Sequence, residues 1–291
     1  MIALSNPEKI ALLTDSTADL PAEMRQGKPI YVVPLKISCA DGEYSDGVDI
    51  FAEDVYRRLR GGELPRTSLP EGGVVSDTLD RIRADGYEKV AAVMLSSGLS
   101  GTYNMVRLQA EQREDLEIAV FDSHSGSLGI GITVLQLWEE IQAGLTWRQL
   151  VDERAPHLIA NTYPLFSVDT LEYLYKGGRI GKVTAMAGTL LSIKPVISFA
   201  SDGQLQSVAK VRGRRQVQDK ILELMQARFQ PGRRYNLGVA NGGAPEEMEQ
   251  FARRVKERFP DYEHCWEGTM DATLSVYIGD GVIGAGIQFL D

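Results

Sequence analysis

The chain has 291 residues, enough for one large or two ordinary domains, and its apolar and charged content is that of a soluble globular protein that needs no covalent staple. Its 31 basic against 40 acidic side chains leave a net charge of −9, which speaks against general nucleic-acid binding. Two cysteines outside any CxxC pattern and three scattered histidines exclude a disulfide framework and a structural zinc, and they fit a reducing, cytoplasmic compartment. The start, MIALSNPEKI, has no signal-peptide pattern. No apolar run approaches the ~20 residues that span a bilayer, so no stable membrane insertion is expected.

Along the chain, KIALLTDS (9–16) reads as a buried strand, and DLPAEMRQG as a helical turn ending at Gly27. PIYVVPLKI (29–37) is extended, with a break at Pro34. IFAEDVYRRLR (50–60) predicts a helix stopped by Gly61-Gly62, and VVSDTLDRIRADG (74–86) a second one ended by Gly86. VAAVML (90–95) and EIAVFDS (117–123) predict strands, each followed by a helix, which is the spacing of βαβ units in a mostly parallel, Rossmann-like sheet. A long helical stretch over 126–160 leads to a different pattern. YPLFSV is a strand, KPVISFA and QLQSVAKVR around Asp202-Gly203 form a hairpin, two amphipathic helices flank the strand YNLGVAN, and two strand-like runs close the chain. The expected fold is therefore α/β with two domains: 1–160, a parallel α/β sheet, and 161–291, an α+β unit with a mixed or antiparallel sheet.

Ligands in parallel α/β sheets bind beyond the carboxyl ends of the strands. Three polar clusters fall at such ends: Asp15-Ser16-Thr17, Ser96 to Thr102 (SSGLSGT), and Asp122-Ser123. The second is the richest. Its glycines let successive amides converge on an anion, a following helix adds its N-terminal partial charge, and its hydroxyls add donors. Capping by Ser100 explains one of those hydroxyls and leaves Ser96 and Ser97 without a reason. A second hydroxyl pair, Thr67-Ser68 in PRTSLP, reads on its own terms as a turn before a helix.

Together these segments resemble the DegV family of bacterial fatty-acid-binding proteins. LLTDSTADLP (12–21), RTSLP, SSGLSGTYN (96–104), LEYLYKGGRIG (171–181), LLSIKPVISF (190–199) and DGQLQSVAKVRGRR (202–215) match its motifs in order over nearly the whole chain. The resemblance implies an apolar tunnel between two domains that holds one long-chain fatty acid, with no cofactor, no metal and no catalytic residue. It further implies presentation of that acid to a separate fatty acid kinase, and it leaves room for transient membrane contact. Carried over residue by residue, it assigns the carboxylate to Thr67 and to the serine pair, Ser97 foremost with Ser96. The family's terminal His-x-Gly-Pro-Gly segment is here Tyr277-Ile278-Gly279-Asp280-Gly281, so Tyr277 stands where the head-group histidine would be and brings a neutral donor instead. Leu69 and Glu71 also depart from the family's polar residues. A basic group, Lys176, Arg179, Lys182, Lys210, Arg212, Arg214 and Arg215, suggests a docking surface for the kinase, with Arg179 and Arg212 as its foremost members.

The competing reading is a serine-based hydrolase or other small-molecule enzyme that uses Ser96 and Ser97 with Asp122 and His124. Against it, no GxSxG elbow is present. GDGVIG (279–284) matches GxGxxG, yet too little chain follows it for a βαβ unit, and GGRIGKVT lacks the Walker spacing.

Overall fold

A computed structural model describes residues 6–183 and 193–291. Leu190, Leu191 and Ser192 of the fifth motif above lie outside the described residues.

The N-terminal sheet is four-stranded and parallel: β1 (Ile10–Asp15), β2 (Ile30–Val33), β6 (Lys89–Met94) and β7 (Glu117–Asp122), in the order β2-β1-β6-β7. Every residue of β1 is buried, as a central parallel strand covered on both faces requires. The short helix α1 (Ala22–Arg25) links β1 to β2. Between β2 and β6 the chain builds a three-stranded antiparallel sheet from β3 (Lys36–Cys39), β4 (Gly42–Ser45) and β5 (Arg66–Ser68), with the helices α2 (Ala52–Arg60) and α3 (Gly72–Ala84). Thr67 and Ser68, expected on a turn, are thus pinned in a strand by pairing with Ile37 and Lys36.

After β6 the chain forms α4 (Thr102–Ala110), and after β7 it forms α5 (Leu128–Gln142). The single helical stretch expected over 126–160 is interrupted. Gly144 adopts φ +96°, and Thr146 starts a new helix by exchanging hydrogen bonds with Gln149 in a capping box. The second piece runs through α6 (Trp147–Gln149), a π-type turn (Leu150–Arg154) and α7 (Ala155–Ala160).

The second sheet has six strands, β8 (Thr162–Ser167), β9 (Ile193–Phe199), β10 (Leu205–Arg212), β11 (Tyr235–Gly242), β12 (Cys265–Thr269) and β13 (Val282–Phe289), in the order β10-β9-β8-β13-β11-β12. It is antiparallel except for the β11/β12 pair. The helices α8 (Glu172–Lys176), α9 (Arg214–Arg228), α10 (Pro245–Arg258) and α11 (Ala272–Ile278) belong to this half. β11 and β13 are buried throughout. On one side of them lies a core of Ile221, Met225, Phe251 and Phe259 from α9 and α10 and the turn beyond it, and α5 lies against β11 and β8. The structure is thus a two-domain α/β fold with a parallel sheet in the first half and a mixed sheet in the second. α11 was not foreseen. Its segment TLSVYI is rich in β-branched and aromatic residues, but Asp271 caps its N-terminus by accepting the Leu274 amide at 2.8 Å. The helix then packs on α2, where Ser275 hydrogen-bonds the Tyr56 hydroxyl at 2.9 Å.

Candidate functional site

The first sheet reverses its winding between β1 and β6, so the loops after those strands flank the crevice where a ligand is expected. Asp15, fully buried, holds them together. Its carboxylate accepts the Leu95 amide at 2.7 Å and both the amide and hydroxyl of Thr17 at 3.0 and 2.5 Å. Burial pushes its pKa up. The hydroxyl of Ser16 accepts the Leu35 amide at 3.1 Å. The Asp15-Ser16-Thr17 cluster is therefore spent on shaping the crevice.

The crevice opens into a cavity lined by residues of both domains. Much of its wall is made of residues with little or no side chain: Gly126 and Gly129 at the start of α5, Gly238 and Ala240 of β11, Gly284 and Gly286 of β13. Small residues at these places leave room in a core that would otherwise close to ordinary packing density. Leu95, Leu128, Ile132, Leu165, Phe166 and Phe199 supply apolar lining.

The wall also has polar members, Ser127, Thr162 and Thr273 among them, and one charged residue, Arg179. Thr67 of β5 and Tyr277 of α11 face each other with 2.5 Å between their hydroxyl oxygens. The guanidinium of Arg179 lies 4.9 Å from the centre of the Tyr277 ring. It is held there by the Leu99 carbonyl, 3.3 Å from Nε, and the Gly177 carbonyl, 2.9 Å from Nη1. The Tyr277 ring rests on the backbone of Gly177, where a Cβ would come within 2.4 Å of it, so no larger residue fits at 177 without displacing the ring. Ser100 also lines the cavity, its hydroxyl 2.9 Å from that of Thr102. A guanidinium beside two paired hydroxyls on the wall of an otherwise apolar cavity has the chemistry to meet a small anion carried on an apolar body.

Of the residues singled out from sequence, Thr67, Tyr277 and Arg179 come together on this wall. Arg179 is half-buried there instead of standing exposed beside its two glycines. Ser96 and Ser97 do not border the cavity. Ser96 is fully buried and donates its hydroxyl to the Gly203 carbonyl at 2.8 Å, tying the serine loop to the hairpin turn. That contact is close enough for a Cβ on Gly98 to meet the Gly203 carbonyl carbon at 2.4 Å. Ser97 is exposed, and its amide donates to Asp122 at 3.1 Å. The serine of that loop that borders the cavity is Ser100, which the sequence had suggested only as a helix cap and whose hydroxyl does accept the Thr102 amide at 3.3 Å at the start of α4. Asp122 also accepts the His124 amide at 3.0 Å, and His124 Nδ1 lies 3.6 Å from its carboxylate. Ser97 and His124 thus meet at Asp122 through their backbone amides, but among the described residues no hydrogen bond joins His124 to either serine.

The remaining cations are dispersed. Lys176 pairs with Glu172, Lys182 with Asp202, and Arg214 with Glu247 and Asp169. Lys210, Arg212 and Arg215 are exposed along the end of β10 and the start of α9. Among the described residues no group of histidine, cysteine or carboxylate side chains is arranged to hold a metal ion, and no helix is long and apolar enough to cross a membrane.

A two-domain α/β protein with an apolar cavity at the domain junction, closed by hydroxyls and one arginine, is the class these features define. The family profile described as "Uncharacterised protein, DegV family" matches residues 9–289. A DegV domain-containing protein of Clostridium acetobutylicum is 36% identical over 277 residues, covering 95% of this chain and 98% of its own. The chain belongs to the DegV family. Among solved structures, a DegV family protein from Thermus thermophilus, described by its fatty acid binding, superposes with a TM-score of 0.89 at 28% identity, covering 97% of this chain and 100% of its own. A stearic acid-binding protein from Eubacterium ventriosum gives 0.85 at 26% identity, covering 96% of this chain and 98% of its own.

Proposed function

We propose that this chain binds one long-chain fatty acid in the cavity, acyl chain inward, and presents the carboxylate at the Thr67–Tyr277 end to a separate ATP-dependent kinase that forms the acyl phosphate. The single observation that carries this reading is the pairing of an apolar cavity with one polar end containing Arg179. Each methylene withdrawn from water into such a cavity gains about 0.8 kcal/mol. A buried carboxylate is tolerated only where donors and a countercharge meet it, and Thr67, Tyr277, Ser100 and Arg179 supply both. The fatty acids named for the relatives above are consistent with this ligand class.

In this reading the chain is a carrier with no catalytic step and no cofactor of its own, working in the cytoplasm. Residues 1–160 carry the β5 and β6 loops, and residues 161–291 close the cavity over them. The exposed Arg212, with Lys210 and Arg215, is taken as the surface that meets the kinase. The test is to mix fatty-acid-loaded protein with ATP and a bacterial fatty acid kinase, and to trap acyl phosphate with hydroxylamine. Hydroxamate that needs both proteins and ATP supports the carrier role. Acyl turnover by this chain alone, abolished by Ser97→Ala, would instead establish the serine hydrolase.

A further inference from the structure

The cavity is closed in two ways, firmly at its far end and thinly along one side. After β8 the chain runs through α8 to Gly177, beneath the Tyr277 ring. The end of β8 therefore lies toward the Thr67–Tyr277 pair and its start lies away from it. From Phe166 back to Thr162 the lining recedes by about 13 Å at the rise of an extended strand. At Thr162 the way is blocked. Its hydroxyl donates to the Leu158 carbonyl at 2.6 Å and accepts from Gln288 at 2.9 Å. The Asn236 side-chain amide donates to Gln288 at 3.2 Å and to Gln136 at 2.8 Å. Gln288 and Asn236 are fully buried. Methylenes pushed past Thr162 would leave these amides without partners in an apolar setting, which is costly.

The side wall is weaker. Among the described residues β8 and β9 pair at one position, Phe166 with Ile197, although on their other sides β8 is paired along its whole length with β13 and β9 with β10. Continued past Phe166, the antiparallel register sets Pro164 opposite Phe199. Proline has no N–H to donate, and side chains hold the seam instead. Ser198 donates its hydroxyl to the Pro164 carbonyl at 2.7 Å, and the Gln206 side chain donates to the Phe199 carbonyl at 3.1 Å. Pro164, Leu165 and Phe199 each border the cavity and also a second groove, whose rim includes the exposed Ser201 and Ala227. The wall between the two is thus one residue thick. Half-buried Val120 and Phe121 of the edge strand β7, Ile159 of α7 and Leu224 of α9 line that groove. Apolar side chains grouped in an open groove mark a place where something apolar is laid down.

We propose that Phe199 is a side gate: acids too long for the cavity turn aside between Pro164 and Phe199 and lodge their methyl ends in the groove between β7, α7 and α9. This rests on the fatty-acid reading above and extends it to very-long-chain acids. The occupant follows from continuity, since a chain already in the cavity is separated from the groove by single side chains. The Phe199 ring leans on that of Phe166, 6.5 Å between centroids, and turns about its own side-chain bonds without breaking a hydrogen bond.

The experiment photolyses the full chain loaded with palmitic or behenic acid carrying a terminal diazirine, and maps the labelled residues by peptide mass spectrometry. With behenic acid we expect label on Val120, Ile159 or Leu224, which line the groove and not the cavity. With palmitic acid we expect it on Ile132 or Ala240, which line the cavity and not the groove. Displacement of a fluorescent fatty acid by the unlabelled acids is the second readout. Wild-type protein should bind behenic acid within about three-fold of palmitic acid, where extra methylenes forced into a closed, well-packed cavity would cost roughly ten-fold or more. Phe199→Ala should move the ratio toward behenic acid. Ala227→Trp fills the groove from an exposed helix position and should weaken behenic acid alone. Behenic label confined to Ile132 or Ala240, label carried to a second copy of the chain in place of the groove, or a ratio indifferent to both variants would each overturn the proposal. The wild-type labelling decides even where Phe199→Ala folds poorly. Palmitic acid that neither labels the chain nor displaces the probe would instead strike at the fatty-acid reading.

Discussion

Thr67 and Tyr277 are 210 residues apart in the chain and belong to different halves of the molecule, yet their hydroxyl oxygens lie 2.5 Å apart at the polar end of the cavity. Each hydroxyl has one proton, so within the pair only the member that accepts is free to donate to an anion, and both can meet a carboxylate only if their mutual bond breaks.

Thr67→Val and Ser100→Ala should each weaken fatty-acid binding by about 1.5–3 kcal/mol, the cost of a charge-assisted hydrogen bond, with the melting temperature little changed. Ser97→Ala should leave affinity within about two-fold, because Ser97 is exposed and off the cavity wall. Displacement titrations of the three variants test this assignment, and equal losses at Ser97 and Ser100 would reject it.

Arg179 should govern affinity as well as any encounter with the kinase. Its guanidinium is fixed by two backbone carbonyls and the Tyr277 ring, so lysine cannot reproduce its geometry. We expect Arg179→Lys and Arg179→Met both to bind at least about ten-fold more weakly, and the loss to persist at high salt because the group is half-buried. A loss that vanishes in high salt would return Arg179 to the exposed docking role.

Tyr277→Phe removes one neutral hydrogen bond and should cost about 0.5–1.5 kcal/mol of binding. Tyr277→His should introduce a pH dependence absent from the native protein, with tighter binding below about pH 6.5, where imidazolium forms, and weaker binding above it. Binding titrations from acid to neutral pH, with melts of the same variants, separate this from a purely packing role, in which Phe is silent and His only destabilises.

Asp19 and Asp271 meet beneath α11 with Asp46. Burial pushes the Asp19 pKa up to about 7. Burial, followed by the neighbouring Asp46 and Asp19 charges, pushes that of Asp271 well above the usual carboxylate range. The folded state therefore keeps protons that the unfolded chain releases above about pH 4. This contribution to stability is complete below pH ~4 and is lost as pH rises toward about 7. Asp271→Asn preserves the cap on Leu274 and removes one charge. Relative to wild type it should be unchanged or less stable near pH 4 and more stable by about 1 kcal/mol or more at pH 8. Denaturant melts at the two pH values check the sign.

Local signals were enough for much of this. The alternation of apolar runs and amphipathic stretches marks the parallel sheet, and the hydroxyl-rich loop after β6 falls where a winding reversal puts a ligand. What stayed hidden depends on distant partners. Thr67 is in a strand only because Ile37 pairs with it. Tyr277 is on a helix only because α2 and the Asp271 cap outweigh the strand preference of TLSVYI. Nothing in SSGLS says that Ser96 turns to Gly203 while Ser100 borders the cavity. Arg179 lies in a basic stretch that reads as surface, and its half-burial becomes visible only once the Tyr277 ring is placed on Gly177.

The central claim, a cavity that holds one fatty acid, is tested most directly by denaturing the purified protein and identifying what it releases by mass spectrometry. The account predicts long-chain fatty acid at about one molecule per chain, reduced in Thr67→Val and Arg179→Met proteins of unchanged fold. A protein that releases no acyl species and takes up none when incubated with long-chain acids would contradict it.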